Sequence, residues 1–316
     1  MRTLIALFLT LCVVFASAPA WAASPTVTVS IQPIHSLAAK IMDGVGTPQL
    51  LLPPTASPHH FSLKPSQARN LRQADLIIWV GPTLEAALAK PISSLNSTTQ
   101  VLSMMDAPGL TKHPLRKGDD WAHDHGHEHR PDRHGHRKDR HSDDPHIWLN
   151  PLNGIAMAAY ITQALQKLDP QNSGRYADNF RTLQRDITGL DKRLRNRLRA
   201  AAGQPYLVFH DGFQYFERRY GLKAIGSVGE GHQRYPSAKR LSHLKHEIAE
   251  HNIRCIFGEP QFKSRAVAML AADSPAKVLV LDPLGASVPP GPGSYSTLLE
   301  NITSAITGCL AQKSPS

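Results

Sequence analysis

Cysteine is scarce in this chain, three residues in 316, and what it cannot build narrows the field. No CxxC pair exists, so a zinc ribbon or a dithiol redox centre is excluded. No HExxH segment exists either, which removes the usual zinc-protease signature. Long apolar runs are equally scarce. Arg2, the run Thr3 to Ala18 and then Ala20-Trp21-Ala22 make up the three parts of a secretory signal peptide. That run is too short to span a bilayer comfortably, and no later segment approaches a span. Cleavage is expected after Ala22, giving a soluble chain in the periplasm of a Gram-negative cell. Cys12 follows Leu11 rather than a small residue, which argues against a lipid anchor. Cys255 and Cys309 then remain in an oxidising compartment, either as a disulfide worth about 4 kcal/mol on a chain-entropy model or as two free core thiols. The basic stretch Arg175 to Arg199 holds eight Arg/Lys against three Asp. It lacks the interleaved aromatics of a single-strand-binding groove and reads as a solvated helix face, so no nucleic-acid partner is expected.

Histidine is what the chain has in quantity, 17 residues in all. Seven of them, His123, His125, His127, His129, His134, His136 and His141, fall in one short tract. Imidazoles at that density suit borderline metals such as zinc, copper or nickel. From Arg116 to Pro145 the only apolar side chains are Trp121 and Ala122, so the segment cannot bury a core. Between Lys112 and Asp144 eight basic and eight acidic residues cancel until the histidines protonate. The tract reads as a disordered, metal-attracting loop over about residues 113–143, inserted into a folded protein. A purely solvated linker is the plain alternative. A purification tag would be a contiguous run at a terminus.

On both sides of the tract, short apolar runs alternate with helical stretches. Val27–Ile31, Leu50–Leu52 and Leu76–Val80 have the length of buried strands, and Pro65–Ala74 reads as a helix. A helix opened by an asparagine cap is expected over Asn153–Leu168. Tyr176, Phe180, Leu183, Ile187, Leu190, Leu194 and Leu198 then form one apolar stripe over roughly 35 Å. Tyr206–His210, Lys223–Ser227, Arg254–Gly258 and Lys277–Leu281 give a second strand–helix series. The expected fold is α/β, with two lobes that each carry a parallel sheet flanked by helices, joined by one long rigid helix. The boundaries run 1–22 for the signal, 23–174 for the first lobe, 175–202 for the linking helix and 203–316 for the second lobe.

Ligands of open α/β sheets gather at the carboxyl ends of strands. His210 closes Tyr-Leu-Val-Phe-His, and Asp282 follows Lys-Val-Leu-Val-Leu. His59 and His60 follow the second strand, and His146 stands where the polar insert returns to apolar chain. Taken singly, each has a plain reading as a core histidine or a turn residue. Together, three imidazoles and a carboxylate at lobe-facing ends fit a tetrahedral zinc site in the cleft. Zinc hydrolysis is a rival chemistry, with Glu259 or Glu230 as the nearest candidate base.

At this point the chain resembles the periplasmic zinc-binding component of bacterial high-affinity ABC zinc importers, in the metal-binding class of solute-binding proteins. The resemblance rests on Thr55-Ala-Ser-Pro-His-His-Phe-Ser-Leu-Lys-Pro-Ser66, the acidic and histidine-rich loop, Asp144-Pro-His-Ile-Trp-Leu-Asn-Pro151, Val208-Phe-His-Asp-Gly-Phe-Gln-Tyr-Phe216, Phe257-Gly-Glu-Pro-Gln-Phe262 and Leu281-Asp-Pro-Leu-Gly285. It implies zinc held between the lobes by His59, His146 and His210, with Asp282 as fourth ligand or as a neighbour behind water. His60 would be a cleft neighbour, and Pro58 stands where some relatives carry a glutamate. Manganese-binding relatives have a carboxylate at the position of His210, so an imidazole there points to zinc. The resemblance also implies a Cys255–Cys309 disulfide, a monomer that is not an enzyme, and partnership with a permease and its ATPase in the inner membrane. A periplasmic metallochaperone is the alternative role.

Overall fold

The computed structural model describes residues 24–116, 143–229, 236–262, 265–272 and 274–311. The expected signal peptide and all seven tract histidines lie outside these residues. The first lobe is built on β1 (Val27–Val29), β2 (Gln49–Leu50), β3 (Leu76–Trp79) and β4 (Gln100–Ser103), with α1 (Gln32–Ile41), α2 (Pro65–Gln73) and α3 (Ala86–Ser93). Its strands are parallel, in the order β2-β1-β3-β4. A 3-10 turn (Ile147–Leu149), α4 (Pro151–Leu168) and the long α5 (Ser173–Leu198) follow. The second lobe comprises β5 (Pro205–Val208), α6 (Gln214–Tyr220), β6 (Lys223–Ser227), α7 (Ala238–Glu250), β7 (Cys255–Gly258), α8 (Arg265–Ala272), β8 (Lys277–Val280) and α9 (Ser294–Leu310). Its sheet is again parallel, in the order β6-β5-β7-β8.

The central strands β1, β3, β5 and β7 are near-continuous apolar runs because both of their faces are covered, whereas the edge strand β8 leaves Val278 and Val280 exposed. On β3, Leu76 and Ile78 enter the large central core while Ile77 and Trp79 enter an outer cluster with Leu71 and Leu88. On β5, Tyr206 and Val208 face the same central core, and Leu207 faces a second outer cluster with Leu244 and Ile248. This period of two is what a pleated strand imposes. The central core is continuous from one lobe to the other and includes the buried stripe of α5. Of the seven stripe residues, only Phe180 is partly exposed.

The helix expected from Asn153 starts two residues earlier. Asn150 is the cap, its side chain accepting from the Leu152 amide at 3.0 Å, and Pro151 takes the first helical position. Asn153 instead ties back to Thr111, accepting from its amide and donating to its carbonyl, each at 2.9 Å. A second local rule appears at Gly154, where a Cβ would lie 2.4 Å from the Tyr295 hydroxyl oxygen. That glycine lets α9 approach α4, and the hydroxyl donates to the Trp148 carbonyl at 2.8 Å. Cys255 on β7 and Cys309 on α9 form a disulfide with their Cα atoms 6.2 Å apart.

Candidate metal centre

His59 lies in the loop between β2 and α2, His146 caps the 3-10 turn that leads into α4, and His210 lies two residues beyond β5. The fold brings these three together. His59 Nε2 stands 3.2 Å from His146 Nε2, and His210 Nε2 stands 3.3 Å from the same atom. Four ligands at 2.0–2.1 Å around a tetrahedral zinc ion would be about 3.3–3.4 Å apart, so the spacing fits the ion. His146 and His210 are buried and His59 is partly buried. The three rings line a small cavity of about 10 Å³ with Pro58, Trp148, Glu259, Gln261 and Phe262 among its walls.

Carboxylates stand behind two of the rings. Asp144 Oδ1 is 2.7 Å from His146 Nδ1, and Glu259 Oε1 is 2.5 Å from His210 Nδ1. A carboxylate on Nδ1 fixes the tautomer that leaves Nε2 as a lone-pair donor, as metal-ligating histidines need. Burial pushes the Asp144 carboxyl up to about 6, against the hydrogen bond from the His146 amide and the charge of Arg116. For His210, burial acts to lower the pKa, but Glu259 above all, with Asp211 and Asp144, outweighs it and leaves the value raised. The site thus sets a carboxylate behind two of its three imidazoles, an arrangement suited to a cation. Space around His210 depends on Gly212, since a Cβ there would come within 2.6 Å of His210 Nε2.

Asp282 is not brought into this group. Its Oδ1 accepts from the Leu284 and Gly285 amides and from Gln261 Nε2, each at 3.0 Å, and its Oδ2 accepts from the Ala286 amide. The carboxylate is occupied in holding its own loop, as an aspartate before a turn often is. The described residues offer a cluster of His59, His146 and His210 without it. His60 is exposed and lines an adjoining cavity of about 250 Å³ beside His59, His146 and Leu115. Glu259, considered from sequence as a hydrolytic base, bonds to the back of His210, and Glu230 lies outside the described residues.

Sequence reasoning did not anticipate the polar framework that joins the lobes beside the site. Trp148 Nε1 donates to the Pro283 carbonyl at 2.8 Å, and Gln261 Nε2 donates to Pro54 at 2.9 Å. Arg116, at the edge of the histidine-rich tract, pairs with Asp211 at 3.2 Å and with Glu217. Burial raises Asp211 to about 7, with Arg116 acting in the opposite direction. Pro114 and Asp143 form an antiparallel bridge that closes the base of the tract. Tyr215 of α6 donates to the Asp144 carbonyl at 2.8 Å and accepts from the His113 amide at 3.1 Å. Glu259 carried a signal, the carboxyl end of a strand, whereas Arg116 carried none.

Residues 27–309 match the profile of a family described as the periplasmic zinc-uptake complex component A, ZnuA. The chain is 36% identical over 306 residues to the high-affinity zinc uptake system protein ZnuA of Brucella suis, covering 90% of this chain and 92% of the relative. To the protein of the same name from Yersinia pestis it is 34% identical over 296 residues, covering 91% and 92%. Among solved structures it is similar to a crystal structure of ZnuA, with a TM-score of 0.76 at 27% identity over 91% of this chain and 99% of that one. A ZnuA deletion mutant with zinc bound gives 0.75 at 27% identity, covering 92% and 100%.

Proposed function

Because the chain belongs to the ZnuA family of periplasmic zinc-uptake components, we propose that it binds Zn²⁺ with high affinity in the periplasm and hands it to an ABC permease with its ATPase. The observation that carries this reading is the convergence of His59, His146 and His210, with the Nε2 atoms of His59 and His210 at 3.2 and 3.3 Å from that of His146, the spacing of tetrahedral zinc ligands. His59, His146 and His210 are the ligands, and the fourth position is open to water from the cavity. Asp144 and Glu259 hold two of the imidazoles in the liganding tautomer. His59 comes from the first lobe and His210 from the second, so bound zinc bridges them and gives the permease a loaded form to recognise. No helix among the described residues is long and apolar enough to cross a membrane. The leader 1–22 serves export, after which lobes 23–174 and 203–316 fold about the helix 175–202.

The histidine tract acts as a multi-site collector that raises the local supply of zinc beside the cleft. The described chain flanking the tract is tied to the second lobe, Arg116 to Asp211 and the His113 amide to Tyr215. Zinc competition titration of the mature protein tests the cleft reading. His59→Ala, His146→Ala or His210→Ala should each weaken the tight site at least a hundredfold, and wild-type affinity in His210→Ala would overturn the assignment. Since neutral imidazole is the ligand and Glu259 holds His210 above the usual histidine value of about 6.5, affinity should already fall as pH drops towards that value.

A further inference from the structure

A second cluster of metal-ligating side chains lies away from the cleft, at the carboxyl end of α7. Donor atoms of Glu247, Glu250 and His251 all lie within 4.8 Å of one another. His251 Nε2 is 3.2 Å from Glu247 Oε2, and His243 Nε2, one turn earlier on the same face, is 3.9 Å from Glu247 Oε1. Two imidazoles therefore flank the two oxygens of one carboxylate. That carboxylate is 3% exposed, and no hydrogen bond among the described residues reaches its Oε2. Ordinary i,i+4 ion pairs explain exposed glutamates on helices, but they are worth little and need a charged histidine. They do not explain why a carboxylate is buried between two imidazoles. A buried carboxylate oxygen without a donor is costly, and a cation removes that cost.

The backbone holds the cluster in place. Asn252 adopts a left-handed conformation with φ 49°, and the Ile253 amide donates to the Ile248 carbonyl at 3.0 Å while the Asn252 amide reaches Ala249 at 3.4 Å. This pair of bonds is the Schellman termination, with Ile248 and Ile253 both in the outer core of the second lobe. It fixes His251 at the helix cap, where the negative end of the helix dipole favours a cation.

We propose that Glu247, Glu250 and His251 form a second divalent-cation site, selective for borderline ions such as Zn²⁺, with His243 as an auxiliary donor. One imidazole and two carboxylates suit zinc, with water completing the shell. The site is separate from the cleft and does not depend on the function proposed above.

Crystals of the whole mature protein, loaded with a several-fold excess of Zn²⁺, provide the test through anomalous differences collected on either side of the zinc edge. A peak bounded by Glu247, Glu250 and His251 is expected beside the one in the cleft. The double variant Glu250→Gln/His251→Ala, which leaves buried Glu247 and the core intact, should erase that peak, keep the cleft peak and bind one equivalent less zinc in solution. An occupied cleft with nothing at α7, a peak that survives the double variant, or one completed by a neighbouring molecule in the lattice would each overturn the proposal. Failure at the cleft alone would leave this site standing.

Discussion

At the scale of residues, carboxylates stand behind two of the three imidazoles, Asp144 behind His146 and Glu259 behind His210. Asp144→Asn and Glu259→Gln retain the shape of each side chain and remove the charge that fixes a ring. Each should lower zinc affinity 10- to 100-fold in a competition titration. Gly212→Ala is a harsher change, because the added methyl group falls within 2.6 Å of His210 Nε2. It should displace the ring and cost at least tenfold in affinity while the far-UV circular dichroism stays native. The three histidines were legible in the sequence because each stands in a short motif at a strand end or at the edge of the insert. Asp282 stands at a strand end too, yet its carboxylate turns back to its own loop, and residue type plus position could not separate the two outcomes. The pairing of Glu259 with His210 was hidden for another reason. The two are 49 positions apart and meet because β5 and β7 are neighbours in the sheet.

At the scale of elements, the strand–helix turns are set by short-range chemistry with measurable effects. Glu85, just before α3, accepts from the Val80 and Gly81 amides at 2.9 and 3.0 Å and closes the turn after β3. Burial nevertheless raises its carboxyl to about 7, the amide bonds opposing that shift only in part. The folded state therefore favours the protonated form. Its contribution is fully present below about pH 4.5 and is lost as pH rises through about 7. A shift of this size corresponds to on the order of 3 kcal/mol. Urea unfolding of Glu85→Gln beside the parent chain should show a shallower fall in stability between those two pH values. Periodicity located the strands and helices well, since the central strands of each sheet are buried on both faces and the stripe on α5 is regular. It misjudged most ends by one or two residues, as at α4, which begins at Pro151, and ran the linking helix to 202 where α5 closes at Leu198, because local bonds rather than pattern decide where an element begins and ends.

At the scale of the whole molecule, the insert and the framework are separable. Deleting residues 117–142, which keeps Arg116 on Asp211 and Glu217 and Asp143 opposite Pro114, should remove weak zinc sites and leave one tight site, read by the same competition titration. Loss of all tight binding would mean that the tract itself holds the metal. The disulfide between β7 and α9 closes a loop with a sequence separation of 54. Replacing both cysteines with alanine should therefore lower unfolding free energy by about 4 kcal/mol without changing the cleft. The α/β architecture was readable from the alternation of elements, but the contacts across the lobes were not, because they join segments more than a hundred residues apart, such as Trp148 with Pro283.

The continuous core has a consequence for how this protein comes apart. Trp148, Tyr176, Tyr215 and Tyr295 are almost wholly buried in one apolar body that both lobes share through α4, α5 and α9. Neither lobe can shed its neighbour without exposing that surface to water. Calorimetry should accordingly record one endotherm, with equal calorimetric and van't Hoff enthalpies, in place of two. A cell would then hold either an intact zinc carrier or an unfolded chain open to proteolysis, with no half-folded form that keeps its metal.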